Sequence, residues 1–165
     1  SVVNTTAFAE AAHVRMYNPE PPDVVKGRRF LYDARLSSSR GDSSCAGCHI
    51  FGDFDHLSWD LGNPDDTEKT NPNPYNKNVP AILRTMPRFH PMKGPMNTQT
   101  FRGMAGNGPL HWRGDRTGES TGDTLEERSF KDFKVAFPGL LGRDAEPTDA
   151  EMTAFAKFTM KIIGG

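Results

Sequence analysis

Three things are scarce in this chain of 165 residues: cysteine, net charge and long apolar runs. Only two cysteines occur, with no second Cys pair and no H-x₃₋₅-H segment. That argues against a zinc cage, whose four ligands usually come from two matched pairs. No run of 18 apolar residues exists, which excludes a membrane-spanning helix. The 20 basic and 21 acidic residues leave a net charge of −1, so neither nucleic acid nor a membrane surface is indicated as a partner. Internal repeats, low-complexity tracts, a Gly-rich phosphate loop and a Ser/His/Asp nucleophile pattern are also missing. No leader pattern stands at the start, which is Ser1 and not Met. The expectation is a single domain over residues 1–165, as a mature form or a piece excised from a longer protein.

The length suffices for one domain with its own core. Yet hydrophobic residues make up only 35% of the chain, and the mean hydropathy is −0.64. A core this thin suits a domain whose centre is filled by a large apolar cofactor. The 16 glycines and 13 prolines point to a loop-rich chain. Its clearest loop is 63–78, N-P-D-D-T-E-K-T-N-P-N-P-Y-N-K-N, which has no periodicity.

Both cysteines fall in Cys45-Ala46-Gly47-Cys48-His49. A thioredoxin-like redox pair needs a βαβ context, and the flanks here are Gly, Ser and Asp. C-x-x-C followed at once by His instead indicates attachment of a c-type haem. Two thiols three positions apart on a helical turn can reach the two vinyl groups of one porphyrin, and the next residue then points its imidazole at the iron. The expected cofactor is one covalent haem c on Cys45 and Cys48, with His49 as proximal iron ligand. His49 should donate its other ring N–H to a backbone carbonyl, which fixes its tautomer.

From Lys26 to His49 the chain reads K-G-R-R-F-L-Y-D-A-R-L-S-S-S-R-G-D-S-S-C-A-G-C-H. This resembles the haem-entry segment of bacterial di-haem cytochrome c peroxidases, where a G-x-x-L-F-x-D-x-R-L-S run leads into C-x-x-C-H. The segments K-G-P-M-N-T-Q-T-F-R-G (93–103), P-L-H-W-R-G-D-R (109–116) and T-L-E-E-R (124–128) look like diverged counterparts of that pattern. As a set, with F-G-D-F-D-x-L-x-W-D-L-G-N-P, they are most similar to cytochrome c domains fused to bacterial β-propeller proteins. The resemblance spans about residues 18 to 163. It implies an all-α, cytochrome c-like fold of few helices and long loops wrapped around one haem. It also implies electron transfer with a redox partner protein or domain, in the periplasm or elsewhere outside the cytoplasm. The alternative it carries is a peroxidase-like enzyme with an open or gated site, in which Glu127 of T-L-E-E-R is the nearby acid. Those peroxidases carry two haem motifs, and this chain has one.

The apolar pattern predicts a helix over Val24–Leu36, capped by Asp23, with Gly27 inside it where a second helix crosses closely. A last helix begins at the capping box Thr148-Asp149-Ala150-Glu151. It carries Met152, Phe155, Ala156, Thr159, Ile162 and Ile163 on one face and ends at Gly164-Gly165. A shorter helix is expected over Thr98–Met104. Val-rich strands are absent, which again reads as all-α.

The second axial ligand of an electron carrier is usually Met or His. The candidates are Met16, Met86, Met92, Met96, Met104, Met152, Met160 and the histidines other than His49. The loop ahead of the last helix, Phe130–Pro147, holds neither Met nor His. The segment Arg88–Asn97 holds three candidates between Pro and Gly, and there Met96 is favoured, followed by Met92 and His90. His/Met ligation raises the reduction potential relative to His/His. His13, His56 and His111 read as surface or structural histidines, His111 being the least settled because it lies in P-L-H-W-R-G-D-R. In that segment Trp112 with Arg113 or Arg116 can pack beside the haem and pair with its propionates. Asp53, Asp55, Asp60, Asp65 and Asp66 lack the spacing of a calcium loop and read as a solvated acidic stretch. The two R-G-D tripeptides, 40–42 and 113–115, carry no adhesion role.

Overall fold

The structure is a computed structural model, and it describes residues 1–62, 64–65, 67–70, 79–83, 88–90, 92, 94–112 and 116–163. Most of the 63–78 loop, Met86, Arg113 with the second R-G-D, Asp66 and the Gly164-Gly165 terminus lie outside the described residues.

Helix α1 runs over Pro22–Tyr32. Proline suits the first helical position because its missing N–H has no partner there in any case. Asp23, expected as the cap, sits instead in the first turn, where its charge complements the helix dipole. The expected single helix to Leu36 is interrupted at Asp33, whose backbone is extended. The Asp33 carboxylate accepts the Arg35 N–H and so starts a separate short helix, α2, over Ala34–Ser37.

Helix α3 covers Leu125–Lys131 and continues through a 3₁₀ turn, Asp132–Val135, into α4, Ala136–Gly139. The first half of the expected Phe130–Pro147 loop is therefore helical. Helix α5, Asp149–Thr159, opens on the capping box: Thr148 Oγ1 accepts the Glu151 N–H, and the Glu151 carboxylate accepts the Thr148 N–H. It stops before Ile162 and Ile163, and Ile163 is exposed. The Ile162 carbonyl accepts the Gly103 N–H at 2.9 Å, which draws the chain away from helical geometry.

Helices α1 and α5 cross in direct backbone contact. A Cβ on Gly27 would stand 2.0 Å from the Ala154 carbonyl oxygen, so only glycine fits, and the reason for a glycine inside α1 is this crossing. Leu31, Met152, Phe155, Ala156 and Thr159 are buried around it. Full burial of one such apolar side chain contributes about 1.5–3 kcal/mol.

The all-α expectation is overturned. Among the described residues three antiparallel strand pairs accompany the helices: β1 (Val2–Asn4) with β2 (Ala9–Ala12), β3 (Ser58–Trp59) with β6 (Met96–Asn97), and β4 (Lys69–Thr70) with β5 (Arg88–Phe89). The architecture is a mixture of α-helix and small β-ladders. These strands are two to four residues long, too short to leave a period-2 signal, and β3 meets its partner from a distant part of the chain.

The helix expected at Thr98–Met104 does not form, and Met96 heads a strand, not a helix. The N–H groups of this segment go to three different elements: Thr98 donates to Leu57, Phe101 to Gly52 and Gly103 to Ile162. Backbone donors satisfied from outside leave nothing to hold a local helix.

Candidate cofactor cavity

Ser44 is extended, and a single 3₁₀ turn, Cys45–Gly47, follows it. The Cys48 and His49 N–H groups both donate to the Cys45 carbonyl, at 3.2 and 2.9 Å. One turn thus presents Cys45, Cys48 and His49 together, and all three line the same cavity. The two cysteines are free thiols. Burial pushes the Cys45 thiol up to about 12. The Cys48 thiol is also raised, by burial and then by the charge of Asp55. Neutral thiols of this kind are poor thiolate nucleophiles and poor metal ligands. Among the described residues no three His, Cys, Asp or Glu side chains converge on a point that could hold a metal ion.

His49 Nδ1 lies 2.8 Å from the Gln99 carbonyl oxygen. A carbonyl only accepts, so Nδ1 carries the proton and Nε2 keeps its lone pair. The expected backbone carbonyl is therefore that of Gln99. Burial lowers the His49 pKa, against the opposing effect of the Gln99 bond, so the ring is neutral at neutral pH. It stacks on Phe101 at 4.0 Å between ring centres, with 22° between the planes.

The cavity measures about 590 Å³, within the range that holds a sizeable organic cofactor. Its other walls come from several parts of the chain. Trp59 and Met96 stand directly opposite each other on the β3–β6 ladder. Phe101 and Met104 come from the segment that follows. Phe130, Phe133 and Phe137 come from the α3–α4 stretch, His111, Trp112 and Arg116 from around the Leu110–Arg116 bridge, and Met152 and Phe155 from α5. No carboxylate lies among the described lining residues.

The residues expected at this site divide. Met96, Trp112 and Arg116 line the cavity with the Cys–His turn. The Trp112 indole N–H donates to the Asn97 carbonyl at 2.6 Å, tying its segment to β6. The Arg116 guanidinium lies 5.3 Å from the centre of the Phe133 ring, and its buried Nε has no hydrogen-bond partner among the described residues. Met92 and His90 are not brought to the cavity. Met92 is exposed, and its N–H donates to His90 Nδ1 in a local turn. Arg113 lies outside the described residues.

Glu127 is placed elsewhere as well. Its carboxylate accepts the Asp123 N–H, and its own N–H donates to Thr124 Oγ1, so T-L-E-E-R works as the cap of α3. It borders a separate polar pocket of about 190 Å³ with Thr121, Lys131 and Asp149. The acidic stretch is used in turns: Asp53 pairs with Arg102 at 3.1 Å, and Asp55 accepts from the Leu57 N–H and the Trp59 indole.

Phe130, Phe133 and Phe137 were missed as wall residues. Their i, i+3, i+7 spacing is the helical signal that could have found them. Met104, a possible ligand by sequence, is a buried core residue on the cavity wall.

Compared with protein-family models, with curated proteins and with solved structures, the chain matches none.

Proposed function

We propose that this chain is a monohaem c-type electron-transfer domain. The observation that carries the proposal is the single turn that presents Cys45, Cys48 and a tautomerically fixed His49 to one apolar cavity of about 590 Å³. Cys45 and Cys48 would hold a porphyrin by adding their S–H groups across its two vinyl groups, and His49 Nε2 is the lone pair available to the iron. Bound there, a haem supplies a one-electron ferric/ferrous couple.

The chain's own part is to hold, orient and shield. Gln99 and Phe101 fix the plane and the tautomer of His49. The phenylalanine wall keeps water from the ring face. Arg116, with its unpaired buried Nε, offers a cation to an acidic substituent of the bound group, the propionate role expected for it. Trp59, Leu61, Trp112 and Leu140 line the cavity and remain half exposed, so its rim reaches the surface where a redox partner can approach. The peroxidase-like alternative has less support, because Glu127 borders another pocket and no carboxylate is among the described lining residues. Covalent haem attachment belongs outside the bacterial cytoplasm, and a periplasmic or extracytoplasmic location is part of the proposal.

The test is expression together with a haem-attachment system. The wild-type chain should keep haem on a denaturing gel and give a reversible visible spectrum, whereas Cys45→Ser with Cys48→Ser should lose the covalent haem. A chain that emerges haem-free under these conditions ends the proposal.

A further inference from the structure

The phenylalanine wall has an imidazole at each end. His49 stacks on Phe101 at 4.0 Å, and Phe101 meets Phe130 edge-on at 5.7 Å. Phe130 lies 6.1 Å from Phe133, which meets the His111 ring at 5.6 Å and 85°. Both imidazoles line the same cavity.

His111 is held there against the preference of its backbone. Its φ is +76°, in the left-handed region that costs a residue bearing a Cβ and suits glycine. Nearby, Gly103, Gly106 and Gly108 take the same kind of conformation with glycine. Two anchors hold the turn. Leu110 and Arg116 close an antiparallel bridge, Leu110 N–H to Arg116 O at 3.1 Å and Arg116 N–H to Leu110 O at 3.3 Å. Trp112 is tied to Asn97. Glycine would meet the backbone requirement at position 111 without strain, yet a half-buried imidazole stands there on the cavity wall.

Three methionines share the cavity, and each has a packing role that accounts for it. Met104 and Met152 are buried within the main hydrophobic core. Met96 faces Trp59 across the β3–β6 ladder, where paired side chains share one face. None of the three has a positive backbone φ.

We infer that His111, not a methionine, is the second axial ligand of the iron, so that His49 and His111 form a bis-imidazole pair. The inference rests on the haem reading. An imidazole nitrogen favours ferric iron more than a thioether does, so the pair sets a lower reduction potential than His/Met ligation. Two strong ligands also leave no open position, which suits a carrier.

The full chain with covalent haem is the sample, and haem retention on a denaturing gel is scored first. Electron paramagnetic resonance and near-infrared magnetic circular dichroism of the ferric protein should show a low-spin bis-imidazole centre, without the Met-to-iron band. Met96→Ala and Met104→Ala should leave that signature in place. His111→Met should bring in the Met-to-iron band and raise the potential. His111→Gly should abolish the signature and should not lower the melting temperature of the haem-free chain, because the backbone strain is relieved. Added imidazole should then restore the signature. Covalent haem with a low-spin signature that survives His111→Gly overturns the inference and leaves the haem reading standing. A Met-to-iron band in the wild type, or a signature lost in His111→Gly that imidazole does not restore, does the same. Absence of covalent haem from the wild type overturns both.

Discussion

The side of the domain where α1 crosses α5 and the side that walls the cavity are built in opposite ways. At the crossing the backbones touch, Gly27 leaves no room for a methyl group, and Leu31 and Thr159 are fully buried. Around the cavity, large rings stand on edge about a space they do not fill, and Trp59 and Trp112 keep much of their surface in water. Phe155 belongs to both, since it packs on Phe30 at the crossing and lines the cavity. Met104, Phe130, Phe137 and Met152 are likewise buried in the same core cluster and line the cavity, so one core serves both sides.

Helix α3 shows the same division within neighbouring residues. Phe130 faces the cavity, while Lys131 is buried in a polar setting, its Nζ donating to Thr121 and Thr153 and pairing with Asp149 at 2.5 Å. A buried ammonium group is tolerated where several oxygens meet it.

These contrasts can be broken in order of expected effect. Gly27→Val should be the most damaging, by about 3 kcal/mol, because the Ala154 carbonyl is backbone and cannot yield as a side chain does. Urea denaturation measures it, and a loss below about 0.5 kcal/mol would contradict the close crossing. Lys131→Ala should cost about 1–3 kcal/mol in the same assay by leaving its oxygen partners without a donor.

The Lys131 hydrogen bond also holds the Asp149 carboxyl below its ordinary pKa. A carboxylate lowered in the folded state stabilises the fold above the ordinary carboxylate range, and that contribution fades as pH falls through the lowered value. Acid unfolding curves of Lys131→Met should therefore show a weaker pH dependence below about pH 4 than the wild type. Identical curves would mean that the pair does not form in solution. Trp112→Ala should have the smallest effect on the haem-free chain, about 1 kcal/mol or less, since the ring is half exposed and loses one hydrogen bond. If it proves as costly as Gly27→Val, the cavity side is packed as tightly as the crossing, and the comparison fails.

Much was legible where local chemistry decides. The capping box at Thr148, the glycine at a helix crossing and the Cys45–His49 turn are short-range patterns, and each lies where the chain predicts it. Legibility failed where donors are satisfied from far away. Thr98–Met104 reads as a helix, but its N–H groups are taken by Leu57, Gly52 and Ile162. The family resemblance offers Glu127 of T-L-E-E-R as a peroxidase acid, yet its carboxylate accepts the Asp123 N–H at the Thr124-capped start of α3, beside a polar pocket. Met92 and His90 were near enough in sequence to Met96 to be grouped with it, but only Met96 reaches the cavity.

The sequence alone determined the turn that presents two thiols and an imidazole, because the spacing C-x-x-C-H and the local backbone suffice for it. Which walls close around that turn was left to the tertiary structure. Gln99, the phenylalanines of α3 and α4, and the strained His111 meet there through the α1–α5 crossing and the β3–β6 ladder, contacts between segments far apart in the chain, with the local Leu110–Arg116 bridge holding His111 in place.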